Sequence, residues 1–346
     1  MNIGILTGGG DCPGLNAVIR AAVRKFHRDA EGTVLGIRKG WYGMMQGLAE
    51  ELSVRSVSGI LPKGGTILGT SRTNPRTEAG GMEQVEEHFR SWQLDGLIAI
   101  GGEDTLGVAA DLHARGLPVV GVPKTIDNDL RGTDYTFGFD TALNIATEAI
   151  DRLHTTAESH DRVIVVEVMG RHTGWIAVCA GIAGGADVIL VPERPVDVHE
   201  MCDTILKRHQ RGKDFSIVVV AEGARLKARE GEADPVTASA ELDAFGHVKL
   251  GGIGNVVGAA IKQITGFDTR VSVLGHIQRG GTPTAFDRVL ATRFGVRAVE
   301  LVLQGQFGKM VALQGNRIEA VDLAIAKSGI KTLDPSWYEI AQVFFG

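Results

Sequence analysis

The chain reads as an α/β protein built on parallel sheets, and three observations predict that class. Short runs rich in Val and Ile alternate with longer amphipathic stretches, the pattern of repeated strand-helix-strand units. Several of the short runs, Leu94 to Ile100 and Leu117 to Val122 among them, show no polar alternation, as expected of strands covered by helices on both faces. Each of these two runs empties into a polar loop, Gly101-Gly102-Glu103-Asp104-Thr105 and Pro123-Lys124-Thr125-Ile126-Asp127-Asn128-Asp129. The carboxyl edge of an open α/β sheet, where ligands bind, thus receives a lysine and a set of carboxylates.

The remaining elements follow in order. Ile3 to Thr7 reads as a strand, and Leu15 to Phe26 as a helix with apolar and basic positions at helical spacing. Further strands are expected at Val34 to Ile37, Arg162 to Val168, Asp187 to Val191, Phe215 to Ala221 and Arg270 to Leu274. Helices are expected at Leu106 to His113, Ala142 to Thr156 and Val198 to His209. Arg225 to Lys249 is charged, small and poor in large apolar groups, which predicts a surface excursion containing little sheet. Beyond Gln306, Met310 to Leu313, Gly315-Asn316 and Arg317 to Val321 predict a hairpin, and a last helix is expected around Trp337 to Phe345. No internal repeat or low-complexity tract is present.

Bulk composition narrows the function. At 346 residues the chain exceeds the usual size of a single core, so two domains are expected, and 44% hydrophobic residues suffice for both. A net charge of -5 supplies no basic field, and no Lys/Arg cluster stands out, which argues against nucleic acid as a partner. The start, Met1-Asn2-Ile3-Gly4-Ile5, has no positive segment before an apolar stretch, and no apolar run reaches membrane-spanning length. A soluble, cytoplasmic protein without membrane contact is expected. Three scattered cysteines, Cys12, Cys179 and Cys202, make neither a disulfide framework nor a zinc site and suit a reducing compartment. Cys12 reads as a packing residue rather than a reactive thiol.

The chemistry lies at the strand ends. Gly8-Gly9-Gly10-Asp11-Cys12-Pro13-Gly14 falls between the first strand and helix, where free amides and the positive helix end favour an anion. It is neither a Walker A loop nor a dinucleotide fingerprint, and alone it reads equally well as a tight turn requiring positive φ. Other strand ends repeat the theme: Met169-Gly170-Arg171, Glu222-Gly223 and Gly275-His276-Ile277-Gln278-Arg279-Gly280-Gly281, with Gly69-Thr70-Ser71-Arg72 adding an arginine on a loop. Arginine's fork suits phosphate oxygens and glutamate suits sugar hydroxyls, so the set points to an anionic, hydroxylated substrate. The four carboxylates Glu103, Asp104, Asp127 and Asp129 with Lys124 could bind a divalent cation, hold phosphate and remove a proton.

Along nearly its whole length, from the Gly9-Gly10-Asp11 loop through Pro123 to Asp129, Met169 to Arg171 and His276 to Gly281, the chain resembles a 6-phosphofructokinase. The resemblance implies two Rossmann-like parallel-sheet domains with the active site in the cleft between them. It places a phosphoryl-donor domain at 1–140 plus 278–328 and a sugar-phosphate domain at 141–277 plus 329–346. It also implies transfer of phosphate to the 1-hydroxyl of fructose 6-phosphate, with Mg2+ as cofactor and Glu103 as its ligand, where most relatives carry aspartate. Asp127 matches the family's general base, with Thr125 and Asp129 beside it. Arg171 matches the group that stabilises the transferring phosphoryl. Gly9, Gly10, Asp11, Arg72, Asp104, Thr105 and Lys124 match the donor side. Thr125, Asp127, Met169, Gly170, Arg171, Glu222, His276 and Arg279 match the sugar-phosphate side. Arg162 and Arg270 match arginines that reach the 6-phosphate from a neighbouring subunit, which implies a homo-oligomer, dimer or tetramer.

The resembling enzymes divide by donor. Those that use ATP carry glycine at the position of Asp104, and many also at Lys124, whereas pyrophosphate-dependent members carry Asp and Lys. A carboxylate about 4 Å from a phosphate charge costs on the order of 4 kcal/mol at an effective dielectric near 20, enough to exclude the nucleotide's α-phosphate. Pyrophosphate is therefore the expected donor. Lys124 also accompanies ATP use in some actinobacterial-type relatives, so the inference rests mainly on Asp104. The alternatives are an ATP-dependent enzyme in which Asp104 swings aside and a non-catalytic sugar-phosphate-binding regulatory subunit; by itself Asp104 also reads as a solvent-facing N-cap of the helix Leu106 to His113. Arg20, Arg24, Asp187, Arg211 and Lys213 match part of the basic effector pocket of bacterial ATP-dependent relatives. Val54 replaces an arginine there, consistent with an unregulated enzyme; helix-surface ion pairs would explain the same charges.

Overall fold

The structure, a computed structural model, describes residues 1–227 and 250–346. In chain order it runs β1 (Asn2–Thr7), α1 (Leu15–Asp29), β2 (Thr33–Ile37), α2 (Trp41–Gln46), β3 (Ala49–Glu51), α3 (Gly81–Ser91), β4 (Gly96–Gly101) and α4 (Glu103–Ala114). Next come β5 (Val119–Thr125), β6 (Phe137–Gly138), α5 (Phe139–Ser159), β7 (Val163–Val168), α6 (Trp175–Ala183), β8 (Val188–Leu190), α7 (Val198–Gln210) and β9 (Ser216–Ala221). The described residues close with α8 (Ile253–Thr265), β10 (Thr269–Val273), a 3-10 turn at Gly275–Arg279, α9 (Ala285–Leu303), β11 (Lys309–Gln314), β12 (Arg317–Asp322), a second 3-10 turn at Leu323–Lys327 and α10 (Pro335–Gln342). These elements form two compact units, Met1–Thr141 with Arg279–Ile330, and Ala142–Gln278 with Lys331–Gly346.

The first unit is built on a sheet of order β12-β11-β5-β4-β1-β2-β3, with β6 added on β5. β2, β1, β4 and β5 are parallel, in the register Ile3↔Gly96, Thr7↔Ile100 and Gly101↔Pro123. Every residue of β4 is buried, which explains the unbroken apolar run in its sequence. Helices α1 and α9 approach closely because Gly295 has no side chain: a Cβ there would lie 2.6 Å from the Val18 carbonyl oxygen and 2.9 Å from Ala21 Cβ. The expected hairpin is β11 and β12, antiparallel, with Gln314 opposite Arg317 and Gly315-Asn316 between them at positive φ for the glycine.

Two elements depart from the sequence reading next to the acidic loops. The helix expected from Leu106 begins instead at Glu103 with Gly102 as its N-cap, so Asp104 lies in the first helical turn rather than at the cap. The cause is Gly101: a Cβ there would lie 2.3 Å from Thr105 Cβ, and its absence lets the helix start directly at the strand end. β5 runs on to Thr125 because β6 supplies a partner, pairing Lys124 with Phe137 and Thr125 with Gly138.

The second unit has a parallel sheet of order β10-β7-β9-β8. Val163, Val165, Val218 and Val220 pack with Met201, Ile205, Val257 and Ile261 of α7 and α8. Asp197 caps α7, accepting the His199 amide at 2.9 Å, while buried Glu167 of β7 accepts the amides of Gly252 and Gly254 at the start of α8. The expected excursion from Arg225 to Lys249 lies mostly outside the described residues; Leu226 bridges to Val196. The last helix, α10, stops at Gln342, and turn-type bonds continue from Phe344 and Phe345 to Ala341 and Gln342. Among the described residues no helix is long and apolar enough to cross a membrane.

Candidate functional site

In the first unit, β1, β4 and β5 are neighbours and parallel, so the glycine loop, the Glu103-Asp104-Thr105 segment and the Asp127 turn leave the same sheet edge side by side. The glycine loop is held more tightly than its sequence suggests. Two of its amides are already engaged, Gly8 donating to Ile100 O at 2.9 Å and Gly9 to Ser71 O at 3.1 Å. Thr105 is 1% exposed, and its hydroxyl lies 2.5 Å from where a Gly8 Cβ would stand, so only glycine fits there.

Two cations converge on the same loop. Lys124 is 4% exposed and its ammonium donates to the Gly10 carbonyl; burial pushes its pKa down, with Cys12 opposing and Arg279 adding to the shift. Arg279 donates from Nη1 to Asp11 O at 3.4 Å, and a Cβ at Gly10 would come within 2.4 Å of that nitrogen. Arg279, which the resemblance groups with the sugar-phosphate contacts, therefore lies in the first unit against the glycine loop. Cys12 is fully buried, and burial raises its thiol to about 12, as a packing role requires.

The acidic turn after β5 is shaped from both sides. The Asp127 amide donates to Thr125 Oγ1 at 3.0 Å, and the Asp127 side chain is largely enclosed at 5% exposure. Asn128 takes a left-handed φ of 52°, and its side-chain oxygen accepts the Thr136 amide at 3.2 Å. Thr136 in turn donates its hydroxyl to Thr125 O at 2.7 Å. Sequence reasoning passed over Asn128 and Thr136; asparagine's tolerance of the left-handed region was the one signal for the former. Asp129 follows half-buried, as are Glu103 and Asp104 in the first turn of α4, where the helix dipole favours acids. Arg72 is exposed on the loop that continues from Ser71. Among the described residues no group of three or more His, Cys, Asp or Glu could hold a metal ion by itself.

The second unit carries its polar residues at both sheet edges. Met169, Gly170 and Arg171 follow β7, and Glu222 follows the neighbouring β9. Glu222 donates its amide to Val168 O at 2.8 Å and accepts the Arg171 amide on Oε1 at 3.1 Å. Arg171 sits at φ 49°, an uncommon conformation for arginine that this carboxylate helps to hold. Buried Gln278 receives the Met169 amide at 3.4 Å and donates to Gly275 O at 3.2 Å, fixing the turn on which exposed His276 stands.

Arg162 and Arg270 lie at the opposite edge, at the amino ends of β7 and β10. Both pair with Asp268, at 2.6 and 2.5 Å, and Arg162 first, then Arg270, holds that carboxyl below its ordinary pKa against the opposing effect of desolvation. At about 3.3 Å per residue, a strand the length of β7 separates them from Arg171 and Glu222 by roughly 20 Å. The chain does not bring these arginines to its own Arg171 and Glu222. Arg20 and Arg24 line a cavity of about 620 Å³ with Lys25, His27 and Val54. Asp187 is turned into the packing of the second unit, paired with Arg208 at 3.0 Å and accepting the Ile217 amide at 2.8 Å.

Fold and strand-end chemistry define an α/β protein whose sheet edges gather cations, carboxylates and glycine turns suited to phosphorylated ligands. A family model described as phosphofructokinase matches residues 2–302, and the chain belongs to that family. It is 58% identical to the pyrophosphate--fructose 6-phosphate 1-phosphotransferase of Amycolatopsis methanolica, with 100% of each chain covered. It is 52% identical, over 99% of each chain, to ATP-dependent 6-phosphofructokinase 3 of Streptomyces coelicolor. Among solved structures, Pichia pastoris phosphofructokinase in the T-state matches with a TM-score of 0.83 and 33% identity, covering 99% of this chain and 36% of that longer one.

Proposed function

We propose that this protein transfers phosphate from pyrophosphate to the 1-hydroxyl of fructose 6-phosphate, reversibly, giving fructose 1,6-bisphosphate and phosphate. The observation that carries the donor is Asp104, half-buried in the first turn of α4 and next to Thr105, whose hydroxyl lies against the glycine loop. A fixed carboxylate there repels the α-phosphate of a nucleotide, and pyrophosphate has none. Relatives named for pyrophosphate, at up to 58% identity over the full length, support the same donor.

The first unit takes the donor through Gly9, Gly10, Asp11, Arg72, Thr105 and Lys124. Asp127 accepts the proton of the attacking hydroxyl, with Thr125 holding its backbone and Asp129 beside it. Phosphoryl transfer is loose enough that positioning and charge neutralisation dominate, so the base needs no unusual pKa. The second unit takes the sugar phosphate through Met169, Gly170, Glu222 and His276, and Arg171 neutralises charge on the transferring group. Arg279 supplies positive charge beside Lys124 at the glycine loop.

Magnesium fits the residues present. It is commonly held by one or two carboxylates together with phosphate oxygens and water, so Glu103 suffices where no three-ligand cluster exists among the described residues. When bound, the ion neutralises phosphate charge.

The enzyme works as a homo-oligomer in which Arg162 and Arg270 serve a second copy's sugar-phosphate site; their distance from Arg171 and Glu222 within one chain supports this reading. A cytoplasmic location suits three cysteines that form no disulfide. The second reading, ATP as donor, is favoured by the ATP-named relative at 52% identity. One assay decides between them: formation of fructose 1,6-bisphosphate with magnesium and either pyrophosphate or ATP, on the same preparation. Turnover with pyrophosphate and none with ATP is expected; turnover with ATP alone would overturn the donor assignment.

A further inference from the structure

We propose that Thr70 is a positioning residue for the glycine loop, holding the backbone of Gly9 together with Ser71 so that this loop and the segment bearing Arg72 keep one arrangement. The proposal rests on the reading of that loop as donor-binding. The Thr70 hydroxyl donates to Gly9 O at 2.5 Å, while the Gly9 amide donates to Ser71 O at 3.1 Å, so the two peptide units that meet at the Gly9 Cα are each held by one polar group. Gly9 has φ 77°, and three consecutive glycines give the loop little stiffness of its own, so its shape must be imposed from outside.

The gripping segment is itself anchored. Thr7, the last residue of β1, donates its hydroxyl to Gly69 O at 2.9 Å and lies 3.0 Å from Thr66 Oγ1. Ser71 donates its hydroxyl to Lys39 O at 2.8 Å, and the Lys39 amide donates to Leu68 O at 2.9 Å. Beyond Arg72, Arg76 pairs with Asp111 of α4 through Nε at 2.6 Å, and Lys327 pairs with the same carboxylate at 2.6 Å. Arg72 therefore sits on a segment fastened at both ends to the body of the first unit.

Three successive carbonyls of the loop are held by side chains: Gly9 by Thr70, Gly10 by Lys124 and Asp11 by Arg279. Lys124 and Arg279 are cations, and an arriving phosphate competes for their donors. Thr70 is neutral and has no such reason to leave, so its bond is the one that persists through the reaction.

The test is kinetics and hydrogen exchange on full-length wild type, Thr70→Val, which keeps the shape and removes the hydroxyl, and Thr70→Ser, which keeps the hydroxyl. Loss of one neutral hydrogen bond predicts a rise of about 3- to 10-fold in KM for pyrophosphate in Thr70→Val, with KM for fructose 6-phosphate unchanged and wild-type values in Thr70→Ser. Amide exchange should quicken in peptides covering residues 5–14 and 66–76 and nowhere else; general quickening would mean global destabilisation and overturn the local role. An unchanged KM for pyrophosphate with unchanged exchange, or a serine variant that behaves like valine, overturns the proposal. If the wild type uses only ATP, the donor reading falls separately, and unchanged exchange in Thr70→Val still overturns the grip.

Discussion

Replacing Asp104 by glycine should move the enzyme toward ATP. Two unit charges 4 Å apart interact by about 4 kcal/mol at an effective dielectric of 20 and about 1 kcal/mol in bulk water. Asp104 is half-buried in the first turn of α4, between those limits. Removing it should therefore improve kcat/KM for ATP by roughly 5- to 1000-fold, about 1 to 4 kcal/mol. The same change has a structural cost that must be measured beside it. An acid in the first helical turn contributes about 0.3–1 kcal/mol through the helix dipole, and glycine is a poorer helix former than most residues by up to ~1 kcal/mol, so Tm should fall by a few degrees. The assay compares fructose 1,6-bisphosphate formation from pyrophosphate and from ATP, with magnesium, for wild type and Asp104→Gly at matched protein concentration. A ratio of kcat/KM values that stays at the wild-type figure in a folded variant would refute the reasoning, because the carboxylate would then not face the donor.

Other expectations follow from the same geometry. Asp127→Ser should lower kcat by about 10² to 10⁴ while leaving fructose 6-phosphate binding, measured by calorimetry, intact; near-normal turnover would remove Asp127 as the base. Buried Asp287, whose Oδ2 accepts the Thr141 amide and hydroxyl, has its pKa pushed up by burial from 3.8 to about 6. Between those pH values the folded chain keeps a proton that the unfolded chain has released. Its contribution is thus greatest below pH ~4, declines as pH rises and is lost above ~6, a span of about 3 kcal/mol for two pKa units. Urea denaturation of wild type and Asp287→Asn from pH 4 to 7.5 should show a difference that grows in the variant's favour across that window; parallel curves would contradict it. Burial raises the thiols of Cys12 to about 12 and of Cys179 and Cys202 to about 11, so Ellman's reagent at pH 8 should label none of them within minutes in the native protein and all in denaturant. Fast native labelling with loss of activity would show Cys12 to be reachable.

Much of this protein was determined by its sequence alone. Leu94 to Ile100 and Leu117 to Val122 read as doubly covered strands because burial on both faces removes polar alternation, and β4 and β5 are neighbours whose ends carry the acidic loops. Gly315-Asn316 between the short strands Met310 to Leu313 and Arg317 to Val321 announced the β11–β12 turn for an equally local reason. What the tertiary structure alone decided are contacts between residues far apart in the chain. Arg279 rests on Asp11, Arg162 reaches Asp268 at the edge away from Glu222, and Thr70 holds Gly9. β6 extends β5 by two paired residues, and the missing side chain at Gly101 lets α4 begin early enough to place Asp104 inside its first turn. Local patterns carry the period of an element and the chemistry of its ends. Which ends meet depends on strand order, register and loop closure, and those are settled only when the whole sheet has formed.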